Sequence, residues 1–430
     1  MPDRNIILTI NTVEPALVKA VHTLSKKLGK ELKGLVLVHT NYADFEGRPK
    51  DDSGLFEEII CDFDNPDELQ RVLKPYTDSL LIVTCRYEDA MHRFRQVVPF
   101  VPYVNTSSES SLLWSTEKPL MRDRLSNYDK NLTPLYQHLK EDDMPQLEEL
   151  IKDFTYPLIV KPSDLQDALL VTECHNLEEL KVCLSHTFQV IHEVYSRKHR
   201  HFTPSVLVEE MMQGKMYSTD AYVMPDGEIF CLPLVEVITA HSLGLPGFYS
   251  YRILVPTNLP ETESEAAFEA SRGAIKALNL RSTTTHIELF RTPQGWKIIE
   301  LGARIGGYRE AMYREAYGIE HFYNDLAIRI GIKPTMPGEL QAHAFAINIY
   351  ADREGEITAI EGLEEAKKLE STVSLVCKAK PGDMALFANN GGGLIIDGIL
   401  SNKNLEQLEK DDAKLRELIK IKVKPPARKD

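Results

Sequence analysis

The chain has 430 residues, 43% of them hydrophobic, with 64 acidic against 50 basic side chains and a formal net charge of −14. That length can bury more than one core, so two or three domains are expected. The acidic balance argues against a nucleic-acid partner, because phosphate backbones demand basic patches, but it is compatible with bound Mg²⁺ or a Mg-nucleotide. No apolar run reaches the roughly 18 residues that a membrane span needs, so no membrane partner is expected. The apolar run of "MPDRNIILTI" is too short for a signal peptide. Six scattered cysteines without a CxxC pair predict reduced thiols in a cytoplasmic protein.

In chain order, "NIILTI" (Asn5 to Ile10) and "GLVLVH" (Gly34 to His39) read as strands flanking an amphipathic helix from Glu14 to Lys30. "EEIICDF", a helix from Pro66 to Lys74, "SLLIVTCR" and "FVPYVN" continue the alternation. This predicts an open, mostly parallel α/β sheet over about the first 110 residues, without a GxGxxG dinucleotide fingerprint. Leu120 to Phe154 reads as helical and charged, and "YPLIVKP" (Tyr156 to Pro162) as a buried strand ending in a lysine. The stretch "SVLVEEMMQGKMYSTDAYVMPDGEIFCLPLVEV" predicts three strands with turns at "QGK" and "PDG". After a hairpin and a helix from Tyr308 to Ala316, short strands and Gly-rich turns follow from Gln341. A charged helix (Asn404 to Ile421) and a loose tail "KVKPPARKD" end the chain.

The hairpin "THIELFRTPQGWKIIELGARIGG" carries a carboxylate on each arm. Period two puts His286, Glu288 and Phe290 on one face, and Trp296, Ile298 and Glu300 together on the other arm. If the turn centres on Gln294, Glu288 and Glu300 pair directly, with Cβ atoms about 4.5–5.5 Å apart. Two carboxylates that close call for a proton or a cation between them, and hard oxygens suit Mg²⁺. The competing reading is two solvated acids on an exposed sheet face. Arg304 and the glycines behind it weaken that reading, since a fixed guanidinium beside a cation suits a transferring phosphoryl group.

Upstream stand Lys118 before a helix, Lys161 at the end of the Lys-Pro strand, and Glu209 and Glu210 ending "SVLVEE", with Gly214 after them. This order, followed by Glu288, Glu300 and Arg304, resembles the ATP-grasp superfamily, closely from Lys118 to Gly307 and more loosely outside. "RxGG" (Arg304, Gly306, Gly307) and the region after Gln341 are most similar to the L-amino-acid ligase, or carboxylate–amine ligase, branch.

The resemblance implies an ATP-grasp fold. It would have a Rossmann-like domain (1–115), linker helices and a lid (116–206), a catalytic subdomain (207–335) and a ligase-like C-terminal subdomain with an antiparallel sheet and a basic tail (336–430). It also implies roles. Lys118 and Lys161 would contact ATP phosphates, Glu209 the adenine amino group, Glu210 and Met212 would offer backbone groups, and Met211 would pack on the base. The ribose-binding position resembles Met216, with Asp220 as an alternative. Glu288 and Glu300 would hold Mg²⁺, with Mn²⁺ as a substitute, and Arg304 with its glycines would act in catalysis. Arg252 falls where relatives place a basic residue near phosphates, and Arg309 is a candidate for a substrate carboxylate.

Two departures stand out: "SDLQDALLV" after Lys161 has no glycine, and Gly302 replaces a side chain that is usually Asn. The expected activity is ATP-dependent joining of a carboxylate and an amine, amino acids among them, through an acyl phosphate, with ADP and phosphate released. A homodimer is compatible. The alternatives are an ATP-grasp carboxylase or other acyl-phosphate former, and a catalytically impaired nucleotide-binding protein.

Overall fold

The computed structural model describes residues 4–45, 47–163, 170–197, 204–245, 248–386 and 393–424. At the N-terminal end, β1 (Ile6–Ile10), β2 (Lys33–His39), β3 (Phe56–Cys61) and β4 (Leu80–Thr84) form a parallel sheet in the order β3-β2-β1-β4. Ile7, Leu8, Ile10 and Leu35 to Val38 are buried in succession, as strands covered on both faces require. The strand order reverses between β1 and β4, so the crevice at their carboxyl ends is the switch point where such sheets bind ligands. "FVPYVN" does not continue the sheet. Val98–Phe100 is a 3₁₀ turn, and Pro99 and Pro102 lack the N–H that a ladder needs.

A second sheet comprises β5 (Tyr136–Leu139), β6 (Leu158–Pro162), β7 (Thr172–Cys174) and β8 (Val206–Glu210), antiparallel in the order β5-β8-β6-β7. With the helix Leu177–Arg197 it encloses its own core of Leu158, Val160, Leu180, Leu184, Phe188 and Val208. The stretch Leu120 to Phe154 is therefore not helical throughout. The helix Lys118–Tyr128 ends, Pro134 favours extended backbone, and β5 adds an edge to β8.

The remaining strands are β9 (Lys215–Val223), β10 (Ile229–Cys231), β11 (Val235–Thr239), β12 (Ser250–Val255), β13 (Thr283–Thr292), β14 (Gly295–Gly302), β15 (His343–Tyr350), β16 (Gly355–Glu361), β17 (Thr372–Cys377), β18 (Met384–Ala385), β19 (Leu394–Asn402) and β20 (Lys420–Lys424). Nine of them form one sheet in the order β14-β13-β9-β11-β12-β15-β19-β17, with β10 on β9. The other three form β18-β16-β20. Pro233 separates β10 from β11, which is why "SVLVEE…VEV" yields four strands and not three. The last helix is Leu405–Leu418, capped by the Asn404 side chain. Lys422 to Lys424 of the expected loose tail are strand, and residues 425–430 lie outside the described residues.

A buried knot fixes the first sheet against the large one. Asp325 accepts from Thr84 Oγ1 at 2.8 Å and Thr284 Oγ1 at 2.7 Å. Arg329 pairs with it at 3.0 Å and donates to the carbonyls of Val83 and Ser282. The carboxyl ends of β1 and β4 are thereby held beside the loop after β14. Among the described residues, no helix is long and apolar enough to cross a membrane.

Candidate active site

The hairpin pairs Glu288 with Glu300, but by a different route from the one its spacing predicts. Thr292 faces Gly295, so the two-residue turn centres between Pro293 and Gln294, and Leu289 pairs with Ile298. A bulge at Ile299 then shifts the register by one residue and brings Glu300 opposite Glu288. The bulge also swaps faces. Trp296 and Ile298 lie in the core with Leu301, Ile287 and Leu289, so Glu300 does not share their face. It emerges beside Glu288, about one-third exposed, with Lys118 Nζ 3.5 Å from its Oε1. Arg122, unremarked in the sequence, pins the bulge by donating to the carbonyls of Ile298 (3.1 Å) and Ile299 (2.8 Å).

The same guanidinium holds Glu209, with Nε 2.6 Å from Oε1, while Lys161 Nζ lies 2.7 Å from Oε2. All three side chains are buried. Glu209 therefore does not present its carboxylate to a base: both oxygens are occupied by cations of its own chain. Burial alone would raise its pKa, but Arg122 and Lys161 outweigh it and hold the carboxyl down at about 2. Two cations on one carboxylate leave a surplus positive charge. Burial, with Arg122 and Lys118 adding to it, pushes the Lys161 amine down to about 8 despite Glu209.

A second buried carboxylate lies under the hairpin. Asp220 on β9 is fully buried and faces His286, its Oδ1 2.7 Å from His286 Nδ1. Its Oδ2 is 2.8 Å from His321 Nε2 and accepts the Gly306 N–H at 2.8 Å. Burial opposes its ionisation, but the imidazoles outweigh burial and hold its pKa well below the usual range. This network excludes Asp220 as a ribose ligand. It also explains Gly306: a Cβ there would lie 2.4 Å from His286 Nδ1. Glu288 Oε1 is 3.5 Å from His286 Nε2 and, against the effect of burial, its pKa is lowered by His286, Arg309 and Arg304.

Arg304 reaches the first sheet's switch crevice, where its Nε donates to Glu88 Oε2 at 2.7 Å. Arg86, also from the end of β4, donates to the carbonyls of Ile305 and Gly306. A Cβ on Gly302 would lie 2.9 Å from Glu88 Oε2, so Glu88 fills the space that a longer residue 302 would need. Glu88 and Arg86 were missed in the sequence, although their place after β4 follows from the switch-point rule.

Other expected residues are held elsewhere. Arg252 lies on β12 and pairs with Asp412 of the last helix at 2.9 Å, over the Phe345 ring. Arg309 is buried beneath Glu288, donating to Ser218 Oγ and the Gly307 carbonyl, and is closed to a substrate carboxylate. The Glu210 N–H donates to Leu135 and the Met211 N–H to Pro157. Met211, Met212 and Met216 are half-buried, with Met216 paired to Phe290 and Val237. Residues 164–169 of the glycine-free loop lie outside the described residues.

The facing carboxylates, with His286 beside one and Lys118 beside the other, fit a hard divalent cation next to phosphate. Among the described residues, the one trio of His, Cys or acidic ligand atoms mutually within 4.8 Å is elsewhere, at His39, Asp62 and Asp64. There the Phe63 N–H donates to His39 Nδ1, which leaves the neutral ring's proton on Nε2 and opposes a metal at that nitrogen.

The fold is that of ATP-grasp structures, and residues 154–311 match the sequence model of the ATP-grasp domain. The L-amino acid ligase of Bacillus licheniformis superposes with a TM-score of 0.77 at 19% identity, covering 99% of this chain and 100% of that one. The uncharacterized protein y4rH of Sinorhizobium fredii is 24% identical over 229 residues, 53% of this chain and 45% of that protein. Carnosine synthase 1 of Mus musculus is 29% identical over 107 residues, 24% of this chain and 13% of that protein. The matches thus span less than half the length of these curated relatives.

Proposed function

We propose that the protein is an ATP-dependent carboxylate–amine ligase. It would form an amide or peptide bond through an acyl phosphate and release ADP and phosphate. The observation that carries this reading is the surplus positive charge of Lys161, Arg122 and Lys118 beside the facing carboxylates Glu288 and Glu300. Lys118 and Lys161 would take phosphate oxygens of ATP, and Glu288 and Glu300 would hold Mg²⁺ or Mn²⁺. When bound, that cation neutralises phosphate charge and clamps its oxygens. Met211 and Met212, just past β8, are assigned to the adenine.

Arg304 aims a planar, two-pronged donor at the oxygens that gain charge during phosphoryl and acyl transfer. Its pairing with Glu88 offers one cation and one anion side by side, the complement of a zwitterion. Amino acids are therefore the favoured substrates, in keeping with the name of the Bacillus licheniformis ligase. We assign the lid to residues 116–206, which supply three strands of the four-stranded sheet and most of its core, while β8 (Val206–Glu210) carries that sheet into the next of the flanking domains 1–115, 207–335 and 336–430. Closure of such a lid would exclude water from the acyl phosphate. The reading assigns the protein to the cytoplasm, where its thiols stay reduced.

A screen of amino-acid pairs with Mg-ATP tests this, following phosphate and ADP. Pair-dependent phosphate release is expected. AMP in place of ADP would sink the acyl-phosphate route. ATP binding without substrate-dependent turnover would favour a nucleotide-binding protein, and bicarbonate-dependent turnover a carboxylase.

A further inference from the structure

We propose that His286 is a third protein ligand of the cation held by Glu288 and Glu300, with Asp220 orienting its ring. The proposal rests on the cation site of the ligase reading and deepens it. Asp220 is fully buried, and its two oxygens receive His286, His321 and the Gly306 N–H. An ionised carboxylate only accepts, so the hydrogen of His286 sits on Nδ1. Nε2 then points outward, 3.5 Å from Glu288 Oε1. A lone pair facing a carboxylate oxygen is repulsive unless a positive centre, a proton or a metal ion, lies between them.

The surroundings favour the metal ion. A carboxylate that fixes a histidine through Nδ1 and frees Nε2 is the recurrent support of metal-binding imidazoles. His286 and Glu288 are two residues apart on β13, so both project to one face, and the Ile299 bulge brings Glu300 to that face. Gly302 contributes no side chain, and Glu88 occupies its space. His286 replaces the missing donor from the neighbouring strand. Glu300 completes the set by leaving Lys118, 3.5 Å away. The contrast with His39 is in the proton: that ring accepts at Nδ1, whereas His286 donates there. An imidazole ligand shifts preference from Mg²⁺ toward Mn²⁺.

The test uses the full chain with Mn²⁺ and ADP and needs no substrate. Electron spin-echo spectra of the bound Mn²⁺ should show coupling to a directly bound nitrogen. That coupling should change to the ¹⁵N pattern in protein grown with [¹⁵N]histidine and vanish in His286→Gln. Competition between the two cations should show the Mn²⁺ over Mg²⁺ preference falling about tenfold in His286→Gln, with Asp220→Asn weakening Mn²⁺ by a similar factor. The labelled wild type decides the matter even where a variant fails to fold. Mn²⁺–ADP bound without nitrogen coupling, or coupling that survives His286→Gln, overturns the ligand assignment, makes His286 a proton-bearing bridge and leaves the ligase reading intact. Failure of Mn²⁺ to bind with ADP overturns both.

Discussion

The knot around Glu209 and the hairpin around Glu288 are neighbours with opposite charge imbalances. In the first, Arg122 and Lys161 share one carboxylate; in the second, two carboxylates share a face with one imidazole. Each imbalance would be costly if left alone. Together they describe a ligand that brings an anion to one side and a cation to the other, as a metal-bound polyphosphate does. The lesson is that neighbouring clusters of like charge, more than any single residue, mark where a ligand completes the structure.

The largest expected effect tests the negative half. Glu300→Gln should abolish turnover while the fold persists, because it removes a cation ligand and relieves repulsion with Glu288. Thermal unfolding of the metal-free variant should match or slightly exceed wild type; substantial residual activity would refute the cation assignment. In the positive half, Glu209→Gln should cost about 3–5 kcal/mol in denaturant unfolding, since it leaves two buried cations without their partner. The sign follows from the lowered pKa: the stability Glu209 contributes is complete above about 4.5 and fades as pH falls toward about 2.

Arg304→Lys comes next. It should lower kcat and kcat/KM together by about 10²-fold with ATP affinity nearly unchanged, because lysine lacks the planar fork. Equal activity would reduce Arg304 to bulk charge. Lys161 gives a smaller and more specific signal. With its amine held at about 8, ATP affinity should weaken as pH rises through 8, and binding at pH 8.5 should take up protons. Calorimetry in buffers of different ionisation enthalpy reads that uptake, which should disappear in Lys161→Ala. The smallest effect is Arg252→Ala: its partner is Asp412, outside both halves, so kcat and ATP affinity should stay within about twofold.

Much of the site was legible because its residues lie in ordered local patterns. The facing of Glu288 and Glu300 was expected from a turn centred on Gln294; the turn lies half a residue earlier, and the bulge at Ile299, which left no trace in the alternation, restores the pairing. Lys118 and Arg122 are four residues apart and share a helix face, a signal that could have found Arg122. The pairing of Arg252 with Asp412 was not legible because its partner lies 160 residues away, beyond any local pattern. Asp220 was visible as a residue but not as an anchor: its partners come from β13, the loop after β14 and the helix His321–Arg329. The N-terminal sheet followed from strand–helix alternation, while "FVPYVN" failed because proline outweighed its apolar content.

The bulge at Ile299 has a consequence for how relatives of this chain should be aligned. No substitution can carry a side chain from the core face of a strand to its open face, but one inserted residue moves everything beyond it. Chain length and the bulge together therefore specify chemistry: the same number of residues paired without the bulge would set Ile299 opposite Glu288 and turn the acid inward, whereas losing Ile299 itself would remove the bulge and keep Glu300 opposite Glu288. Gaps of one residue here are functional characters, and an alignment that closes them for the sake of identity would match an acid in one protein to a core residue in another.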